Sequence, residues 1–265
     1  IRTGLAAVLM MLLMAGSGHA AVRAVITKTG TGQQLKGLVK WQSTTKQYVI
    51  QPDGSPVQFK LPPGDVADIQ VARPSELDGA IRQVEAGRYA AALPVLEKIM
   101  NDYTMLQYDV IAAQYLAAAY LETKDARKAV AMCDRVMASN PEAAETPGFA
   151  GIYWQALLET EQYMKLDKVL SMAIKGESRE LAAIAQIRRG DIQKQKGNIE
   201  NALIDGYLRI VVFFQDVKDV QPEALYKAAK SFEEKGQHPY AEKMRKELLS
   251  SYPQSDYAKR VRAGA

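Results

Sequence analysis

One small residue, replaced once by leucine, recurs at a nearly constant interval along the chain. Ala92, Ala129, Leu166, Ala202 and Ala241 are separated by 37, 37, 36 and 39 residues. From Pro74 onward the apolar residues keep a period of about 3.6, which is typical of helices that bury one face. A repeat of this length holds two helices, and it buries its apolar face only by stacking on its neighbours. The sequence therefore predicts about five helical hairpins packed side by side.

The pattern is clearest between Ala113 and Pro141. Its apolar and small residues have the spacing of W-x2-L-G-x2-Y followed by A-x3-F and a closing proline. They are Ala113, Leu116, Ala117, Tyr120, Ala129, Cys133, Val136 and Pro141. A second good copy runs from Leu225 to Pro253, with Arg245 in place of the expected aromatic residue.

On these residues the region resembles the tetratricopeptide-repeat family, and its Tyr252-Pro253 ending is similar to that of exported bacterial members. The resemblance implies a solenoid that holds a peptide or a partner protein on a concave face lined by the first helices. Other copies are weaker. The third has Trp154 where a small residue belongs, and in the fourth Tyr207 falls one residue late for the usual aromatic.

The segment before Pro74 alternates with period two instead. Five short alternating runs, separated by turn residues, predict five strands. The runs are 25–27, 35–41, 48–50, 57–61 and 69–71. Five strands in about fifty residues are too few for a two-sheet sandwich, so we predict a small β barrel, with Gly37 allowing the curvature. The strand order resembles the Sm-like small-barrel family.

The predicted fold class is therefore α+β, mainly α. A small five-stranded β barrel occupies residues 21–73, and an all-helical repeat domain follows over residues 74–265. Trp41 and Tyr48 in the strand region are candidates for a binding surface, but closing the barrel core is the favoured role for at least one of them.

The first twenty residues predict export. Arg2 precedes an apolar run over residues 5–15, and Gly18 and Ala20 are small residues where a signal peptidase requires them. About eleven apolar residues are too few to span a bilayer, which takes about 20. We therefore expect cleavage of a signal peptide at residues 1–20, a periplasmic or secreted location, and no membrane span afterwards.

Composition argues against several kinds of site. Cys133 is the single cysteine, and of the two histidines only His238 lies beyond the first twenty residues, so histidine triads and multi-imidazole metal sites are not expected. The net charge of +4 is weak, and no aromatic residues interleave with a basic stripe, so nucleic acid is not an expected partner. Acidic pairs such as Asp216 with Asp219 lie in predicted loops. We predict no catalytic residues, no metal and no cofactor, and hence no enzyme.

The candidate protein-binding residues are those that the repeat family places on the concave side of its first helices. They are Gln114, Tyr115, Glu122, Arg188, Asp191, Lys194, Tyr226 and Lys230. The implied groove is mixed in charge. Tyr115 and Tyr226 are favoured as anchors because aromatic side chains dominate interface energetics. Local pairing of Arg188 and Arg189 with Asp191 is the alternative for these residues.

The leading hypothesis is an exported, non-catalytic scaffold that binds another envelope protein or peptide on the concave face. In this hypothesis the β module adds a second contact, and two surfaces imply two partners or self-association. The alternative makes the β module the active unit, which binds cell-wall glycan or a protein strand by edge pairing, with the solenoid as a spacer.

Overall fold

The computed structural model describes residues 20–264, so the predicted signal peptide lies outside the described residues except for Ala20. Contacts within the chain divide it into two units. The first runs to Arg73 and also includes residues 101–107, and the second comprises residues 74–100 and the chain from Tyr108 onward. Among the described residues, no helix combines the length and the apolar character needed to cross a membrane.

The first unit is an antiparallel sheet. Its strands are β1 (Val22–Lys28), β2 (Gln34–Gln42), β3 (Gln47–Pro52), β4 (Phe59–Leu61) and β5 (Val66–Val71), in the spatial order β4-β3-β2-β1-β5. Each overlaps one of the predicted alternating runs. Trp41 and Tyr48 are both buried and meet edge to face, with ring centroids 4.9 Å apart. Gly37 allows β2 and β3 to approach closely, because a Cβ there would overlap the carbonyl oxygen of Gln51.

The sheet is open, and the prediction of a closed barrel is wrong. β4 and β5 lie at opposite edges and do not pair with each other, and β4 is only three residues long. Residues 101–107 pack on the apolar face of the sheet. Leu106 is fully buried in the sheet's core, and Nε2 of Gln107 donates a hydrogen bond of 2.6 Å to the carbonyl of Ile69. This segment supplies the apolar cover that barrel closure would have supplied.

The second unit is helical. Its helices are α1 (Leu77–Glu85), α2 (Tyr89–Asp102), α3 (Tyr108–Glu122), α4 (Ala126–Ser139), α5 (Pro147–Glu159), α6 (Tyr163–Lys175), α7 (Arg179–Gln195), α8 (Ile199–Asn201), α9 (Leu208–Phe213), α10 (Gln221–Glu234), α11 (His238–Ser251) and α12 (Asp256–Arg262). A π-helical turn, Ala202–Tyr207, joins α8 to α9. The helices thus follow one another along the chain as five pairs; contacts join the members of the second to fifth pairs, and α12 packs against the last pair.

The recurring small residues lie at the contacts between helices. Ala92, Ala129, Leu166, Ala202 and Ala241 all have 0% exposed surface. Five residues before each of them the backbone adopts a positive φ, at Gly87, Lys124, Glu161, Gly197 and Gly236. The same pair of hydrogen bonds closes the first helix at each of these turns, as in a Schellman cap. A common turn and a common buried contact therefore recur with the sequence repeat.

The π-helical turn explains the late position of Tyr207. A π turn holds one residue more than an α turn, so it moves the following residue one step along the helix surface. Tyr207 is fully buried as a result. Gly206 lies against Gly190 of α7, and a Cβ on Gly206 would overlap the Cα of Gly190. The two backbones are therefore in direct contact.

Candidate functional site

The first helices of successive pairs pack on one another. α3 contacts α1 and α5, α5 contacts α7, and ion pairs join α7 to α10. We call the side of α3, α5, α7 and α10 on which the predicted binding residues lie the first-helix face. Two regions of this face differ in chemistry, an uncharged region across α3, α5 and α7 and a charged region between α7 and α10.

The uncharged region, which we call the open patch, consists of six residues that all keep exposed surface. They are Gln114, Tyr115, Gly148, Gly151, Ile152 and Ile184. A Cβ on Gly148 would lie 2.6 Å from Oε1 of Gln114, so the side-chain amide of Gln114 packs against the backbone of α5 at this glycine. At Gly151 there is room, since a Cβ would lie 3.7 Å from Cγ2 of Ile184. The backbone of α5 therefore lies against the Gln114 amide at Gly148 and against Ile184 at Gly151.

The charged region, which we call the ionic cluster, consists of Arg188, Asp191, Tyr207, Glu223 and Lys227. Nη1 of Arg188 lies 2.8 Å from Asp191 and 2.7 Å from Glu223. Nζ of Lys227 lies 2.7 Å from each of the same two carboxylates. The hydroxyl of Tyr207 donates to Oδ1 of Asp191 at 2.9 Å. Two cations and two anions thus neutralise each other and tie the fourth helix pair to the fifth.

Burial makes these pairs strong. The exposed fractions of the Arg188, Asp191 and Glu223 side chains are 13%, 11% and 17%. Burial opposes ionisation of Glu223, but Arg188 and Lys227 outweigh it and lower the pKa of the carboxyl to about 2. The pKa of Arg188 is raised, because both carboxylates outweigh the burial that opposes its charge, and burial together with Asp191 raises the pKa of Tyr207. Glu223 and Arg188 therefore stay charged across the physiological pH range, and Tyr207 stays protonated.

The structure brings together two of the eight predicted binding residues, Arg188 and Asp191, as the local pair that was the alternative interpretation. Tyr226 packs against Tyr257 of α12, with ring centroids 5.4 Å apart and the ring planes tilted by 42°. Nζ of Lys194 lies 2.7 Å from Glu234.

The other four predicted residues lie apart from these contacts. Gln114 and Tyr115 belong to the open patch, and Glu122 is exposed at the end of α3. Lys230 is half-buried on α10, so α5 and α7 lie between it and the three residues of α3.

Sequence reasoning missed the roles of Glu223 and Tyr207. A usable signal was present, because oppositely charged residues about one repeat apart face each other on neighbouring pairs. Arg188 and Glu223 are 35 residues apart, and Asp191 and Lys227 are 36 apart. The further pairs at this spacing are Arg179 with Asp216, Lys194 with Glu234, and Glu200 with Lys235.

Reactive groups considered from the sequence are engaged in packing or pairing. Burial raises the pKa of the Cys133 thiol to about 12, so the nucleophilic thiolate is not populated at neutral pH. Both carboxylate oxygens of Asp216 are held by Arg179, at 2.5 and 2.8 Å. Within residues 20–264 no group of three or more His, Cys, Asp or Glu side chains is arranged to hold a metal ion.

Comparison with known proteins identifies one repeat. Residues 223–255 match the family described as tetratricopeptide repeat. No curated protein matches the chain. The solved structure of MamA AMB-1 is similar with a TM-score of 0.44 and 19% identity, over 72% of this chain and 100% of that chain. MamA MSR-1 is similar with a TM-score of 0.41 and 20% identity, over 64% of this chain and 92% of that chain. The fifth helix pair, α10 with α11, therefore carries a tetratricopeptide repeat, as its sequence predicted.

Proposed function

We propose that this chain is an exported, non-catalytic scaffold that binds another envelope protein or peptide on its first-helix face. The observation that carries the proposal is the open patch, where α5 presents backbone at Gly151 instead of a side chain. The tetratricopeptide match over residues 223–255 supports a role in protein interaction. Export rests on the residue pattern of the first twenty positions.

The open patch is a better ligand site than the ionic cluster. A protein that bound charged residues of the cluster would have to break buried ion pairs. Each broken pair that leaves one charge buried and unpaired costs about 3–5 kcal/mol. The patch imposes no such cost, because its residues are uncharged and partly exposed. We infer that an apolar side chain of the partner contacts the backbone at Gly151 between Tyr115 and Ile184. The cluster has a different role, which is to fix the fourth and fifth pairs against each other.

Site-specific photocrosslinking in the native cell tests this proposal. A photoreactive amino acid replaces Tyr115 in the full chain, and the matched control places it at Met172, which is 66% exposed on α6. We expect one discrete crosslinked protein from position 115 and none from position 172. Gly151→Gln adds a side chain to the patch and removes a helix-interior glycine, so it should abolish the crosslink without loss of stability. Equal crosslinking from both positions, or no effect of Gly151→Gln, would contradict the proposal.

One observation favours the alternative, strand binding by the β module. β4 has a single neighbour in the sheet, and beside its free edge Val57 and Phe59 are 56% and 46% exposed. An edge strand of this kind can accept an extended segment of another protein. The same crosslinker placed at Phe59 distinguishes the two functions. A partner captured from position 59 but not from position 115 would favour the β module.

A further inference from the structure

A cavity that the proposed function does not use lies between the third and fourth helix pairs. It has a volume of about 470 Å³ and is bounded by α6, α7 and the π-helical turn with α9. We call it the α6–α7 cavity. It contains buried Gln186 and Ile192 and half-buried Arg189, whereas Asp167 and Asp205 are exposed residues of its lining. A volume in this range is typical of sites for small ligands.

The cavity lies at a position that apolar side chains occupy in the more regular repeats. Gln186, Arg189 and Gln193 occupy the same steps of the fourth repeat, relative to Ala202, as a row of apolar residues does in the second and fifth. Those apolar residues are Ala113, Leu116 and Tyr120 on α3, and Leu225, Ala228 and Phe232 on α10. Amide and guanidinium groups in a seam between helices require polar partners, so this seam does not close against apolar side chains.

The π-helical turn forms another wall of the same cavity. Asp205 in this turn and Arg209 just after it both line the space. Nε2 of Gln186 donates a hydrogen bond to the backbone carbonyl of Asp205, which ties α7 to the turn. π turns inside α-helices are frequent at functional sites. The polar seam and the irregular turn thus meet at one place in the second unit.

The charged side chains that line the cavity do not neutralise one another. Arg189, Lys196, Arg209, Asp167 and Asp205 all line it, and none of the five forms an ion pair within the described part of the chain. The guanidinium of Arg209 lies over the ring of Phe213, 5.8 Å from its centroid. Arg189 donates one hydrogen bond, from Nη2 to Oγ of Ser171 at 3.0 Å, which leaves most of its guanidinium for a ligand. Lys196 lies over the ring of Tyr163, 5.3 Å from its centroid.

These positions define the chemistry of a ligand. The least exposed charge is the guanidinium of Arg189, which suits a carboxylate because the two groups match in shape. The exposed carboxylates of Asp167 and Asp205 suit N–H donors, and they would repel the negative charge of a phosphate. We propose that the α6–α7 cavity binds a short zwitterionic peptide of about tripeptide size. Its C-terminal carboxylate pairs with Arg189, and its amino and amide groups donate to Asp167 and Asp205.

Isothermal titration calorimetry on the full chain tests this site with trialanine as the probe. Trialanine should bind, trialanine amide should bind at least tenfold more weakly because it lacks the carboxylate, and inorganic phosphate should not compete. Arg189→Gln should weaken trialanine binding at least tenfold. Arg127→Gln, on the exposed side of α4, should leave it unchanged. No binding of trialanine at millimolar concentration, or equal binding of the amide, would overturn the proposal.

A cavity-filling variant keeps the test independent of Arg189. Gln193→Phe places an aromatic residue at the step that Tyr120 and Phe232 occupy in the better repeats. We expect this variant to unfold at a higher temperature and to lose trialanine binding. If it binds trialanine as the parent does, the peptide is not in this cavity and the proposal fails. Crosslinking from position 115 should be unaffected, so failure here is distinct from failure of the proposed scaffold function.

Discussion

Replacement of Glu223 by glutamine tests the ionic cluster most sharply. The glutamate keeps a pKa of about 2 because Arg188 and Lys227 outweigh the burial that opposes its ionisation, whereas its ordinary value is 4.5. The difference between these values corresponds to about 3 kcal/mol of stabilisation of the folded chain by the ionised carboxyl. Since the folded-state pKa is lowered, this contribution is complete above about pH 5 and is lost as the pH falls towards 2. Over that interval the unfolded chain takes up the proton first.

Urea unfolding of the full chain, followed by circular dichroism, measures the effect. Near pH 7 Glu223→Gln should lower the free energy of unfolding by about 3 kcal/mol, and near pH 3 by less than half of that. The matched control is Glu122→Gln at the exposed end of α3, which should change it by less than about 0.5 kcal/mol at either pH. An equal loss at both pH values, or no loss near pH 7, would refute the electrostatic account of the cluster.

Three further changes are expected to alter stability, each measured by urea unfolding. Lys124→Gly should stabilise the chain by about 0.5–1 kcal/mol, because Lys124 has a φ of 64° at the turn position that Gly87 occupies in the first helix pair. A lower free energy of unfolding would contradict the shared turn. Gly206→Ala should destabilise by at least about 2 kcal/mol, since its Cβ meets the backbone of Gly190; a neutral result would mean that the helices separate freely. Leu106→Ala should cost about 2–5 kcal/mol, and a cost under about 1 kcal/mol would show that residues 101–107 do not cover the sheet.

The repeat was predictable because its cause is local and recurs. A helix pair needs a turn with positive φ and a buried contact five residues later, and both occur at each copy, so the interval is kept even where the aromatic positions are not. The five strands were predictable for a similar reason, since a half-buried strand alternates along its own sequence. Neither pattern needs information from distant residues.

The closure of the sheet was not predictable from the same pattern. Alternation within residues 24–71 shows that one face is apolar, but it does not show what covers that face. The cover comes from residues 101–107, which run from the end of α2 into its connection to α3 and would be expected to be an ordinary link between helices. Leu106 in that connection makes a long-range contact with the sheet, which the strand pattern does not reveal. Without that contact, barrel closure was the simplest assumption.

The candidate site was only half predictable. Tyr115 and Gln114 keep exposed surface on α3, but the distinction between exposed and paired charges depends on which residues meet between neighbouring helix pairs. Glu223 lies 35 residues after Arg188, so the pair becomes visible only when charges are compared one repeat apart. The α6–α7 cavity was hard to predict for a similar reason. The polar residues Gln186, Arg189 and Gln193 stand out only when the fourth repeat is aligned with other repeats, which have apolar residues at these three steps.

The central claim is that small residues at the repeat interval form the contacts between stacked helices. Two substitutions in α4 test it directly, Ala129→Leu at a position with no exposed surface and Ala131→Leu at an exposed position two residues away. Urea unfolding should show that Ala129→Leu lowers the free energy of unfolding by about 1–3 kcal/mol and that Ala131→Leu changes it by less than about 0.5 kcal/mol. Equal effects of the two substitutions would contradict the stacked-hairpin account.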